Sequence, residues 1–302
     1  MKTRIEELIN KYKEEVVKHY HHLHAHPELS GQEKESAAYI AAELRKMGLE
    51  PTENVGGYGV VALIKGNGEG KCIGLRADFD ALPIQEETDL PFKSTVPGVM
   101  HACGHDVHAS MLLGCAYVLN ELKDSFKGCV KLVFQPAEEN SIDCGAKKMI
   151  ADGVLENPKV DAMIAQHVGA LYDTGIIATK EGYLHAASDR FFITLDGTGS
   201  HAARPHLGTD TVVIGSQIVS ALQSLVSRNT DPMENAVVTI GKFNAGDRYN
   251  VIANHAQMEG TCRNYNEEVR TKNEKRMGEI VGITNKWCRC IYERIYFFID
   301  CL

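Results

Sequence analysis

Through residues 50–167 short apolar segments alternate with helical patterns, and this alternation most limits what the chain can fold into. Segments 60–64, 72–76, 130–134 and 161–166 read as strands. Segments 3–24, 30–47, 106–122 and 147–153 read as helices, the first from Ile5, Leu8, Ile9, Tyr12, Val16 and Tyr20 at helical spacing. Ser30 followed by Glu33 reads as a capping box opening the second helix. Strands interleaved with helices imply an α/β unit whose mixed sheet is covered on both faces. Near residue 182 the order changes to strand 190–195, helix 209–226, strands 237–242 and 257–263, then helix 267–283. That is the order of a small α+β sandwich, so the expected domains are 1–184 and 185–285, with 286–302 set apart as an aberrant tail.

The 302 residues, 44% hydrophobic and 24% charged, suffice for two cores. A net charge of -8 argues against nucleic acid or an anionic membrane surface as partner. No apolar run approaches a membrane span, and residues 1–18 lack the apolar centre of a signal peptide. The expected location is therefore cytoplasmic.

Four segments at strand ends or in loops carry residues suited to chemistry: Arg76 to Pro83 (RADFDALP), His101 to Asp106 (HACGHD), Glu138-Glu139 and Gln166-His167. Ligands of α/β sheets bind at the carboxyl ends of strands. Cys103 and His105, separated by one glycine, can bend onto one ion; the other reading is a buried Cys beside a hydrogen-bonded His. Adjacent Glu138 and Glu139 repel each other, which a metal needing one and a reaction needing the other would justify; a solvated acidic turn is the alternative. His167 directly follows an apolar strand, where a lone His is more commonly a satisfied core or edge histidine. Asp78 and Asp80 alternate, so their side chains point opposite ways unless the chain turns. Together these residues fit a two-metal hydrolase, in which ions acidify a shared water and a carboxylate takes its proton.

At these residues the chain resembles the M20 metallopeptidases, in the amidohydrolase branch that holds N-acyl-L-amino acid amidohydrolases, hippurate hydrolases and auxin-conjugate hydrolases. The matching motifs are LHAHPE from Leu23, GLRADFDALP from Gly74, HACGHD from His101, FQPAEE from Phe134, GSHAARPH from Gly199 and NVI from Asn250. The resemblance implies a zinc-peptidase-like catalytic domain with an inserted lid and dimerisation domain. It implies Cys103, His105, Glu139 and His167 as ligands of two divalent ions, manganese or zinc, with cobalt or nickel possible. Glu138 would be the general base acting on a metal-bridged water, and Asp80 the aspartate that supports the ligands. His201 would reach the active site of a partner subunit and polarise the scissile carbonyl. Asn250 and Arg263 would hold the carboxylate of a small N-acyl amino acid, in a homodimer built through the lid. A dipeptidase or carboxypeptidase of the same superfamily is the alternative, although Cys103 favours the amidohydrolase branch. The cluster His21, His22, His24 and His26 reads as structural.

The family chain continues past the lid to one more ligand histidine, whereas here no His follows His255. Residues 286–302 hold the only Trp, Trp287, and the run from Ile295 to Ile299 without polar alternation. They read as a frameshifted or truncated ending, or as a divergent last lid helix. The expectation is a catalytic domain without its C-terminal part, weak binding of the second ion, and low activity or an inactive dimerising remnant.

Overall fold

A computed structural model describes the backbone of residues 2–140, 143–288 and 291–299, and side chains as far as residue 283. The chain divides into two compact units, Met1–Ile176 and Ile177–Leu302.

The first unit runs α1 (Lys2–Ala25), α2 (Lys34–Lys46), β1 (Thr52–Val55), β2 (Gly59–Lys65), β3 (Cys72–Asp78), α3 (His105–Glu121), β4 (Cys129–Gln135), α4 (Gly145–Ala151) and β5 (Ala162–Ala165). Its sheet has the order β1-β2-β4-β3-β5. β3 is parallel to both β4 and β5, while β2 pairs antiparallel with β4 and with β1, so the sheet is mixed. The parallel strands β3 and β4 therefore end on the same edge, at Asp78 and Gln135. The core lies between this sheet and the helices, with Ile40 and Leu44 from α2, Leu113 from α3, and Leu132 and Phe134 from β4 all buried. β5 is an edge strand with all four residues exposed, Met163 and Ile164 among them. Lys131 is buried within β4, and its ammonium donates to the carbonyls of Val154, Glu156 and Pro158 at 2.9, 2.7 and 2.9 Å.

The capping box expected at Ser30 and Glu33 is not used. α2 starts at Lys34, with Glu33 as an N-cap that makes no side-chain cap bond. The carboxylate of Glu28 instead accepts from the Glu35 and Ser36 N–H groups, taking the orphan donors of the first turn. Ser30 and Glu33 are engaged at the strand ends described below.

The second unit comprises β6 (Ala187–Asp196), α5 (Thr211–Ser224), β7 (Ala236–Ala245), β8 (His255–Asn264), α6 (Glu267–Cys288) and β9 (Ile291–Ile299). The sheet is antiparallel throughout, in the order β7-β8-β6-β9. Phe191, Ile193 and Leu195 alternate along β6 and meet Ile214, Ile218 and Leu222 at helical spacing on α5. Asp210 caps α5, accepting from the Val212 and Val213 N–H groups. Arg270 of α6 forks onto buried Asp189 of β6, with Nη2–Oδ1 at 2.7 Å and Nε–Oδ2 at 2.9 Å. Of the segment set apart in the sequence, the backbone of 291–299 runs as edge strand β9; residues 289–290 and 300–302 lie outside the described residues. No helix among the described residues is long and apolar enough to cross a membrane.

Candidate metal centre

The chemistry-bearing residues of the first unit gather where β3, β4 and β5 end. β3 stops at Asp78, so the chain turns between the two aspartates and their alternation no longer separates them. Asp78 Oδ2 comes within 3.8 Å of His105 Nε2, and Asp80 Oδ1 lies 3.1 Å from Nδ1 of the same ring. Two carboxylates from one strand end thus address the two nitrogens of one buried imidazole. After β4, Ala137 takes a left-handed φ of 49°, a conformation costly for an L-residue with a side chain. It is held there by its N–H, which donates to buried Glu33 at 2.7 Å. This turn delivers Glu138 and Glu139, whose carboxylates stand 3.8 and 3.9 Å from His105 Nε2.

Gly104 precedes α3 with φ +90°, and a Cβ there would stand 2.5 Å from the Val168 side chain. Glycine therefore lets Cys103 and His105 share a site. Cys103 Sγ lies 3.3 Å from Nε2 of His167, which follows β5 and whose Nδ1 donates to the Val168 carbonyl at 2.7 Å. Asp80 ties the ends together: it accepts from Ser30 Oγ at 2.7 Å, the Glu139 N–H at 2.9 Å and His105.

Four carboxylates surround His105, and the charge balance shows in their protonation. Burial opposes a charged His105, yet Asp80, Cys103 and Asp78 together raise its pKa to about 11. Burial would raise Asp78, but the His108 hydrogen bond and the Arg76 guanidinium outweigh it and hold the carboxyl at about 2. Glu138 is pushed up to about 7, by burial first and then by repulsion from Asp78.

Such a pocket is deficient in positive charge. The buried Nε2 of His105 has no hydrogen-bond partner among the described residues, and it faces three carboxylates. Three groups of donors each lie within 4.8 Å of one another: Cys103, His105 and His167; His105, Glu138 and Glu139; and Asp78, His105 and His108. The mix of thiolate, imidazole and carboxylate fits a late first-row divalent ion or manganese. His105, shared by all three groups, presents its Nε2 to the pocket while Nδ1 is bonded to a carboxylate, as metal-ligating histidines do.

Sequence reasoning gave no role to His108, Arg76 or Gln135. His108 sits one helical turn after His105, and that spacing was the available signal. Its Nδ1 donates to Asp78 at 2.5 Å and its Nε2 accepts the Val168 N–H at 3.0 Å, linking β3 to the segment carrying His167. Arg76 joins Asp78 at 2.7 Å and Gln135 at 2.9 Å, bracing β3 against β4.

In the second unit, exposed His201 forms an isolated antiparallel bridge to Val251, which brings it beside Asn250. The Oδ1 of Asn250 is buried without a partner among the described residues. Arg263 lies near the other end of β8, bonded to Thr261 Oγ1 and the Cys262 carbonyl. From His255 to Arg263 the strand extends roughly 26 Å at its usual rise. Within one chain, the structure does not bring Asn250 and Arg263 to one carboxylate.

Comparison with known proteins shows what the chain is similar to. Residues 74–284 match the model of peptidase family M20/M25/M40. The chain is 40% identical over 284 residues to the N-acyl-L-amino acid amidohydrolase of Geobacillus stearothermophilus, covering 94% of this chain and 76% of that protein. It is 46% identical over 255 residues to an N-acetyl-L-cysteine deacetylase of Bacillus subtilis, covering 84% of this chain and 60% of that one. The crystal structure of the Bacillus subtilis YXEP protein, described as a dinuclear metal binding peptidase from the M20 family, superposes with a TM-score of 0.80 at 36% identity, covering 96% of this chain and 75% of that one. The chain spans 60–67% of the length of three of the curated relatives it matches. With the family model matched over more than half its residues, this chain belongs to peptidase family M20/M25/M40.

Proposed function

We propose that the chain hydrolyses the amide bond of N-acyl amino acids, giving a carboxylic acid and a free amino acid. The observation that carries this reading is a carboxylic acid, Glu138, with pKa near 7, set 3.8 Å from the unpartnered Nε2 of His105. A base poised near the working pH both takes a proton and returns it to a leaving amine. Cys103, His105, Glu139 and His167 would hold a pair of divalent ions, with manganese or zinc the first choices and cobalt or nickel compatible. When bound, those ions supply an acidified water and an electrophile for the amide carbonyl. Asp80 then fixes the His105 tautomer through Nδ1 and orients Glu139 through its backbone.

In this reading His201 donates to the developing oxyanion, and Asn250 and Arg263 select a free carboxylate on the substrate. Because Asn250 precedes β8 and Arg263 lies near its far end, one carboxylate needs them from two copies of the chain. A homodimer in which His201 and Asn250 serve the partner's site satisfies that requirement. The names of the amidohydrolase and deacetylase relatives support the substrate class.

The test is release of free amino acid from N-acetyl-methionine and hippurate with added manganese or zinc, with a dipeptide as comparison. Hydrolysis of the acyl amino acids above the dipeptide is expected. A folded, ion-loaded chain that cleaves neither would sink the proposal, and preference for the dipeptide would move it to the peptidase branch.

A further inference from the structure

Five histidines crowd residues 19–26, and three of them are committed to the fold. Buried His19 bonds Tyr39 through Nδ1 at 2.7 Å and Tyr117 through Nε2 at 3.3 Å. Buried His24 bonds Asp106 at 2.6 Å and Glu86 at 3.2 Å. His21 stacks face to face on Phe92, ring centroids 3.9 Å apart.

His22 and His26 differ from these. Both are exposed at the C-terminal end of α1, one helical turn apart, with ring centroids 4.7 Å apart and planes tilted by 33°. His22 is stacked on Tyr39 at 3.8 Å, which holds its ring in place, and among the described residues its ring nitrogens have no protein hydrogen bond. His26 donates from Nδ1 to the His22 carbonyl at 2.7 Å, which leaves the Nε2 lone pair pointing away from the backbone. A donor bond from one ring nitrogen to a carbonyl is the arrangement that fixes the tautomer of metal-ligating histidines elsewhere.

We infer that His22 and His26 form a second, surface metal site, a two-imidazole chelate for a late first-row divalent ion such as nickel, copper or zinc. Two neutral imidazoles suit these ions better than magnesium or calcium, and water completes the coordination. The C-terminal end of a 24-residue helix adds a favourable negative potential. The bound ion would tie the last turn of α1 to the residue beyond it. This site is separate from the centre around His105 and does not depend on its function.

The experiment is nickel binding by equilibrium dialysis on the full chain and on His22→Asn and His26→Asn, each checked for unchanged circular dichroism. The centre around His105 is present in all three and cancels in the comparison. The parent should bind one more ion per chain than either variant. As a readout needing no variant, nickel added beyond saturation of the centre around His105 should broaden the ring proton resonances of His22 and His26 in the parent ahead of those of His19 and His21. Equal stoichiometry in all three chains, or broadening that spares His22 and His26, would overturn the inference.

Discussion

The two sheets are built from similar apolar strands, yet they treat buried charge differently. In the second unit the buried acid Asp189 meets the forked guanidinium of Arg270, so charge is balanced pair by pair. In the first unit Asp78, Asp80, Glu138 and Glu139 converge on His105, and among the described residues Arg76, bonded to Asp78, is their one permanent cation. A balanced pair holds two elements together and asks for nothing further. An excess of carboxylate around an unpartnered imidazole nitrogen asks for a cation. The contrast separates a structural ion pair from a binding centre without reference to any relative.

Four measurements would break or sharpen this contrast. If the first unit's excess charge is chemistry, Glu138→Gln should lower kcat by about 10²–10⁴-fold while metal content stays as in the parent. Loss of bound ion in step with activity would make Glu138 a ligand instead. If the second unit's pair is purely structural, Arg270→Met should destabilise that unit by about 3–5 kcal/mol in urea unfolding, because Asp189 is left buried and alone. Metal binding should be untouched, and a change there would blur the distinction.

The third concerns pH. His101 is buried and its ring nitrogens have no partner among the described residues; burial lowers its pKa to about 4. The unfolded chain therefore takes up this proton first, near its ordinary value of about 6.5. The stability His101 contributes is whole above about pH 6.5, declines on acidification, and is spent below about pH 4, a loss of about 3 kcal/mol. Unfolding free energies of the parent and His101→Gln, measured from pH 7 to 4, should converge as the pH falls; parallel curves would refute the assignment. The smallest effect belongs to the second unit: Asp210→Ala should cost about 1 kcal/mol by uncapping α5, with no change in the first unit's metal binding. A loss near zero would mean that solvent caps α5 as well as Asp210 does.

Much of this architecture was legible in the sequence because its signals are local. Most strands and all the helices fall within a few residues of the periodic segments, and the change of order near residue 182 marks the second sheet. The donors Cys103, His105, Glu138, Glu139 and His167 stood out because each follows a strand or flanks a glycine. What could not be read depends on contacts between distant segments. Strand β1 is short and amphipathic, so its pairing with β2 decides it. Ser30 looked like a helix cap because its neighbours fit the pattern, but its hydroxyl is taken by Asp80, fifty residues on. His108 carried no motif, and its task became visible only when Asp78 and Val168 were placed on either side of it. Asn250 and Arg263 matched one role in the text, and the length of β8 that separates them was visible only in the fold.

Lys131 gives the first unit a property that its metal centre lacks. The three carbonyls it gathers belong to the stretch between α4 and β5, so the lysine sets where β5 begins and, through that strand, where His167 arrives. Its cation is covalently part of β4 and cannot be exchanged. The three carbonyls have this donor whether or not an ion sits in the pocket. The corner that leads into β5 is thus held by a cation of the fold itself, independent of any ion the pocket takes up.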